Sequence, residues 1–156
     1  MLQERNKTII AVCWVLVAAC MVLIFYFSSR TSVESAQQSA GVLNWITRIF
    51  GENAFTDFIV RKTAHCLEFT GLALLFNIAL YFTCIKIKPI QSIIFTSLYA
   101  VTDEVHQIFV EGRSCELRDW AIDTAGALIG TIGFLTIYAI IKKAVQKRKG
   151  IDTALK

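Results

Sequence analysis

The sequence predicts an all-α membrane protein, a bundle of four transmembrane helices with a short interfacial helix between the first two. Three observations carry this. Hydrophobic residues make up 55% of the chain and charged residues 18%, where soluble domains carry roughly a quarter charged. The apolar residues gather in runs of about 20, the length that crosses a ~30 Å hydrocarbon core. A single proline in 156 residues leaves long helices uninterrupted. One domain over 1–156 is expected, with spans at about 8–29, 62–84, 90–109 and 119–141. The net charge of +4 is weak evidence for nucleic acid, and none is expected as a partner; where the charges sit matters more than their sum.

The first run, Thr8 to Ser29, follows Arg5 and Lys7. Val17-Ala18-Ala19-Cys20 resembles a lipoprotein cleavage site, but Met21 to Phe27 stays apolar where a mature lipoprotein turns polar, so an uncleaved helix is expected. Arg30 to Gly51 is the longest polar connection. It opens on a flexible Ser, Gln and Gly composition, then places Val42, Trp45, Ile46, Ile49 and Phe50 at helical spacing, which suits a short helix in the membrane interface or, equally, a surface helix packed on the loop. The second run starts near Ala54 and reaches Cys84, with Asp57, Arg61, Lys62, His65 and Glu68 in its first turns. Lys86, Lys88 and Pro89 make a very short turn, so the second and third runs are antiparallel neighbours. The third run, Ile90 to about Phe109, ends in Asp103-Glu104-Val105-His106-Gln107. A polar loop with Glu111, Gly112, Arg113, Glu116 and Arg118 leads to the fourth run, Asp119 to Ile141, and a basic tail follows. The cysteines share no close spacing, and no disulfide framework or CxxC metal site is read from them.

Four spans put the termini and the Lys86–Pro89 turn on one side. That side carries ten Lys and Arg, against six on the other. The positive-inside rule then makes both termini cytoplasmic in a multi-pass protein of a bacterial-type cytoplasmic membrane. The N-terminal ends of the second and fourth helices and the C-terminal end of the third consequently meet at the extracytoplasmic face. These ends hold nearly every intramembrane ionisable residue, and such residues are costly unless used or paired.

Helical phase sharpens the convergence. At about 100° per residue, Arg61, His65, Glu68 and Leu72 share one face of the second helix. Asp103 and Gln107 share a face of the third, beside His106 and one turn above Tyr99. Asp119, Asp123, Gly126 and Gly130 line up on the fourth, and the GxxxG spacing lets two backbones approach closely. The same glycine face is a candidate surface for an oligomer.

Three chemistries fit this cluster. His65 and Glu68, with His106 and further carboxylates, offer a first shell for zinc or manganese. His65 or His106 could act as a general base oriented by a carboxylate. Arg61, Lys62 and Arg113 could hold an anionic head group, with the carboxylates positioning those cations. A fourth reading needs no ligand: the charges pair with one another and fix helix register.

Arg61-Lys62-x-x-His65-x-x-Glu68-Phe69, then Asp103-Glu104-x-His106-Gln107-x-Phe109, Arg113, and Asp119-x-x-x-Asp123-x-x-Gly126-x-x-x-Gly130, resembles the VanZ-like membrane family. Phe27-Ser28-Ser29 resembles that family's early segment. The likeness implies a small four-helix membrane protein, linked through its name-giving member to low-level resistance against the glycopeptide teicoplanin. It names no reaction and no cofactor. His65, Asp103, Glu104, Gln107, Arg113 and Asp119 match the family pattern most directly. The expected site residues are Arg61, Lys62, His65, Glu68, Asp103, Glu104, Gln107, Arg113, Asp119 and Asp123. The expected partners are membrane lipids or lipid-linked cell-wall intermediates. The rival expectation is a membrane-embedded, metal-assisted enzyme acting on lipid head groups.

Overall fold

A computed structural model describes residues 6–50 and 56–154. Arg5, Gly51, Ala54 and Lys156 lie outside the described residues, as do the side chains of Ile46, Ile49, Phe50, Asp57 and Lys149. The described residues form five helices: α1 (Lys7–Ser28), α2 (Ser32–Phe50), α3 (Asp57–Cys84), α4 (Pro89–Gln107) and α5 (Leu117–Ala154).

α1 starts where Asn6 Oδ1 accepts the backbone N–H groups of Thr8 and Ile9, at 3.0 and 3.2 Å, satisfying donors that a helix start leaves open. α2 departs from the expected flexible opening and is helical for 19 residues from Ser32. The reason is a capping box. The Glu34 N–H donates to Thr31 Oγ1 (3.3 Å), and the Thr31 N–H donates back to Glu34 Oε2 (3.1 Å). α3 closes on Ile85 at φ 54°, a left-handed conformation that β-branched residues rarely adopt. That bend turns the chain through Lys86–Lys88 into Pro89, which opens α4. α4 stops at Gln107, short of the expected Phe109. Its exit tightens into successive turns, with the N–H groups of Phe109 and Val110 donating to His106 and Gln107 carbonyls at 3.0 Å each. α5 runs 38 residues, roughly 57 Å at the α-helical rise. The basic segment Lys142–Arg148 is therefore a helical extension of the last span and not a separate tail.

Three of the expected four spans are long and apolar enough to cross a membrane: Lys7–Ser28, Phe58–Cys84 and Leu117–Arg148. α4, with 19 residues, is less apolar because its buried face carries Ser92, Thr96, Asp103, Glu104 and Gln107.

α3 is the centre, packing on each of the other four helices. Phe69, Leu72, Ala73 and Ala79 are fully buried there, against Val17 and Ile24 of α1 and Ala100 of α4. Lipid removes the hydrophobic drive between helices, so close backbone contact and interhelical hydrogen bonds must hold them. Gly126 and Gly130 supply the first: a Cβ on either would collide with the carbonyl oxygen of Cys66 or Thr70, respectively. Thr70 Oγ1 also donates to the Gly126 carbonyl at 3.1 Å. The glycine face thus points inward as expected, but α3 fills it. The buried amide of Asn77 supplies the second, its Nδ2 lying 2.8 Å from Ser92 Oγ of α4 and 3.1 Å from Thr131 Oγ1 of α5. Trp14 Nε1 donates to Thr83 Oγ1 (3.0 Å) and the Tyr99 hydroxyl to the Met21 carbonyl (2.6 Å), tying α1 on. The cysteines Cys13, Cys20, Cys66, Cys84 and Cys115 are unpaired.

Candidate functional site

The first turns of α3 and α5, the last turn of α4 and the loop to α5 come together at one end of the bundle. The loop is held there by Gly112, at φ 73°. A Cβ at that position would strike Ser32 Oγ, and the Ser32 N–H donates to the Glu111 carbonyl (3.3 Å). This docking brings Arg113 back onto the end of α1, where its Nε donates to the Arg30 carbonyl at 2.8 Å.

Two cavities divide the polar residues between them. The outer one, about 360 Å³, lies between α2 and α3. Its walls are mostly apolar, with Phe27, Val42, Ile59, Val60 and Leu67, and its polar groups are concentrated in Arg61, His65, Glu68 and Arg113. His65 Nδ1 sits 3.7 Å from Glu68 Oε2. Arg61 and Arg113 have no carboxylate within salt-bridge distance among the described residues, and the buried Nε of Arg61 has no hydrogen-bond partner there. Burial lowers the Arg113 pKa from its ordinary value, and the neighbouring Arg61 lowers it further, while Asp103, Glu68 and Glu104 oppose both.

The inner cavity, about 10 Å³, is enclosed by Lys62, His65, Glu104, Gln107, Asp119, Ile122 and Asp123. Lys62 Nζ is paired with Asp119 Oδ2. Glu104 Oε2 accepts the Glu116 N–H at 2.8 Å. Gln107 Nε2 donates to Asp103 Oδ2 (3.0 Å) and to the fully buried Ser28 Oγ (3.1 Å). Asp123 is 2% exposed.

The expected residues therefore share one end of the bundle but not one chamber. Arg61, His65, Glu68 and Arg113 face the outer cavity, while Lys62, Glu104, Gln107, Asp119 and Asp123 face the inner one. Asp103 stands beside Gln107 and lines neither. Lys62, expected beside Arg61 and Arg113, instead pairs inward with Asp119. His106 is also elsewhere. Its Nε2 is 3.0 Å from Ser29 Oγ, and its ring stacks on Phe25 at 4.2 Å. Because Ser29 Oγ already donates to the Phe25 carbonyl (2.7 Å), it accepts from His106, which makes the pair a latch between α1 and α4. Among the described residues no three of His, Cys, Asp and Glu converge to hold a metal ion. The set His65, Glu68 and His106 is not assembled.

A family model described as VanZ/LLP1 matches residues 13–141. The chain belongs to the VanZ/LLP1 family. No curated protein and no solved structure matches it. Family membership and three apolar helices make this VanZ/LLP1 chain a membrane protein.

Several residues of the candidate site escaped the helical-phase reading. Ser35, Gln38, Ser39 and Val42 of α2 form a wall of the outer cavity, and the Thr31–Glu34 capping box was the available sign that this stretch is ordered. Ser28 lies in the quoted Phe27-Ser28-Ser29 segment, but its bond to Gln107 depends on how α1 meets α4.

Proposed function

We propose that this VanZ/LLP1 chain is a single-domain protein over 1–156 with four spans in the bacterial cytoplasmic membrane. α2 lies in the outer interface, and both termini are cytoplasmic. Its function is to bind the anionic head group of a lipid or lipid-linked cell-wall intermediate at the extracytoplasmic face. The observation that carries this is the pair of guanidiniums, Arg61 and Arg113, presented to an apolar-walled cavity of about 360 Å³ with no carboxylate within salt-bridge distance among the described residues. Guanidinium forks match phosphate and carboxylate geometry, and an apolar wall beside them suits a lipid chain. His65 and Glu68 border the head group, and the inner carboxylates lie behind it. The name-giving relative's link to teicoplanin tolerance fits a role on the envelope side of the membrane.

The test is mass spectrometry of lipids that co-purify with the native protein and with Arg113→Ala. A lipid species retained by the wild type and depleted at least tenfold in the variant, at equal membrane abundance, is the expected result. Identical lipid profiles would overturn the reading. A reporter fused after Lys156 should read cytoplasmic; an extracytoplasmic reading would reverse the topology and the face.

A further inference from the structure

Among the described residues, His65 is the only one that lines both cavities. One side of the imidazole meets the outer cavity, where Arg61 and Arg113 stand, and the other meets the inner one. The inner cavity has about the volume that one water needs, and its wall of Lys62, Glu104, Gln107, Asp119 and Asp123 offers more than enough polar partners. Asp123 faces this space with 2% exposure and makes no hydrogen bond or ion pair to a described residue. Asp119 Oδ1, also buried, accepts no hydrogen bond from a described residue and has Arg118 Nε at 4.0 Å. An unpaired buried carboxylate is strongly disfavoured, whereas a protonated one is not.

The surrounding charges point the same way. α3 contributes Arg61, Lys62, His65 and Glu68; α4 contributes Asp103 and Glu104; α5 contributes Asp119 and Asp123; the loop contributes Arg113. From α1 the Cys20 thiol stands near Glu68. Arg118, at the start of α5, stands 4.0 Å from Asp119 Oδ1 and is shared with Glu116, so these five carboxyl groups face four permanent cations, and Asp103, Glu104, Asp119 and Glu68 all act on Asp123. Lys62 in the cavity wall already supplies a cation and repels a metal ion, which leaves a proton as the remaining neutraliser.

We propose that Asp123, Glu104 and the cavity between them form a buried site for one water and one proton, linked through His65 to the outer cavity, so that anion binding takes up a proton. The coupling rests on the head-group reading above. Arg113 helps compensate Glu104 and Asp103, and an anion bound beside it removes that compensation. A carboxylate then accepts a proton from bulk water by way of the imidazole, and only O–H and N–H bonds form and break. Linkage requires the reciprocal effect, affinity that rises as pH falls, by up to about tenfold per pH unit for one proton.

Two measurements on the full chain in nanodiscs test this separately. Infrared spectroscopy of the ligand-free protein should show a protonated-carboxyl band that grows in as the pH is lowered from neutral and that Asp123→Asn removes. Isotope-labelled aspartate assigns the band without any substitution should that variant not fold. Absence of a protonated-aspartate band overturns the proton site whatever binds outside. Calorimetry with dihexanoylphosphatidate, in buffers of different ionisation enthalpy, should show about one proton taken up per ligand by the wild type and close to none in Asp123→Asn. Binding without proton uptake overturns the coupling and leaves the head-group reading standing. No binding to the wild type overturns both.

Discussion

Replacing Gly126 with alanine should loosen the contact on which the site rests, while the same change at Gly133 should not. A Cβ at Gly126 would overlap the Cys66 carbonyl oxygen and lie 3.2 Å from the Cys66 carbonyl carbon and 3.3 Å from Thr70 N. All three are backbone atoms of a buried helix and cannot swing aside. α3 and α5 must separate, and overpacking of this kind costs about 1–3 kcal/mol. Separation also stretches the 3.1 Å bond from Thr70 Oγ1 to the Gly126 carbonyl, worth about 0.6 kcal/mol in a membrane setting. Against this stands the better helix propensity of alanine, at most about 1 kcal/mol. The net expectation is a loss of about 1–2.5 kcal/mol for Gly126→Ala. Gly130→Ala should behave similarly, because its Cβ would overlap the Thr70 carbonyl oxygen and approach Ala73 Cβ to 3.1 Å. Gly133 has nothing within 4 Å of its Cβ position, so Gly133→Ala should be neutral or slightly stabilising. Steric trapping in bicelles, or denaturation in mixed micelles, reads these differences directly. Equal stabilities for Gly126→Ala and Gly133→Ala would refute the close α3–α5 contact and, with it, the placement of Asp119 and Asp123 against Lys62 and His65.

Other consequences can be measured in the same way. Lys62→Met and Asp119→Leu should each destabilise the protein, by about 2–4 kcal/mol, because each strands a mostly buried charge, and the double substitution should recover most of the loss; additive losses would show that the pair is not formed. Asn77→Leu removes the amide shared by Ser92 and Thr131, and should cost about 1–2 kcal/mol through those interhelical bonds. A wild-type unfolding midpoint in Asn77→Leu would mean that the three helices do not depend on it.

Much of the site could be seen in helical phase. Arg61, His65 and Glu68 fall on one face of α3 because the α-helix repeats every 3.6 residues, and all three line the outer cavity. The brief Lys86–Pro89 connection made α3 and α4 antiparallel neighbours, which brought Asp103, Glu104 and Gln107 to the same end as Arg61. The glycine spacing in α5 announced a close helix contact, and α3 provides it. Three things stayed hidden. The Ser- and Gln-rich opening of α2 looks flexible by composition, while its fate is set by two reciprocal cap bonds between Thr31 and Glu34. Lys62 follows Arg61 in sequence yet faces the other chamber, since one residue is about 100° of rotation. His106 looked like a member of the cluster, but α1 lies beside α4 and takes it with Ser29 and Phe25.

The sequence by itself determined that this is a helical membrane protein, which ends of the helices are charged, and how its motifs compare with the VanZ/LLP1 family, because apolar run length and helical period are local properties. Tertiary structure alone decided which charges are partners. Lys62 meets Asp119, Arg113 meets the Arg30 carbonyl, and Arg61 meets no carboxylate among the described residues. Those outcomes depend on contacts between residues tens of positions apart, and on a glycine at φ 73° that folds the Arg113 loop onto the start of α2. No repeat along the chain encodes such contacts, because they are set by how helices of different length and bulk settle against one another.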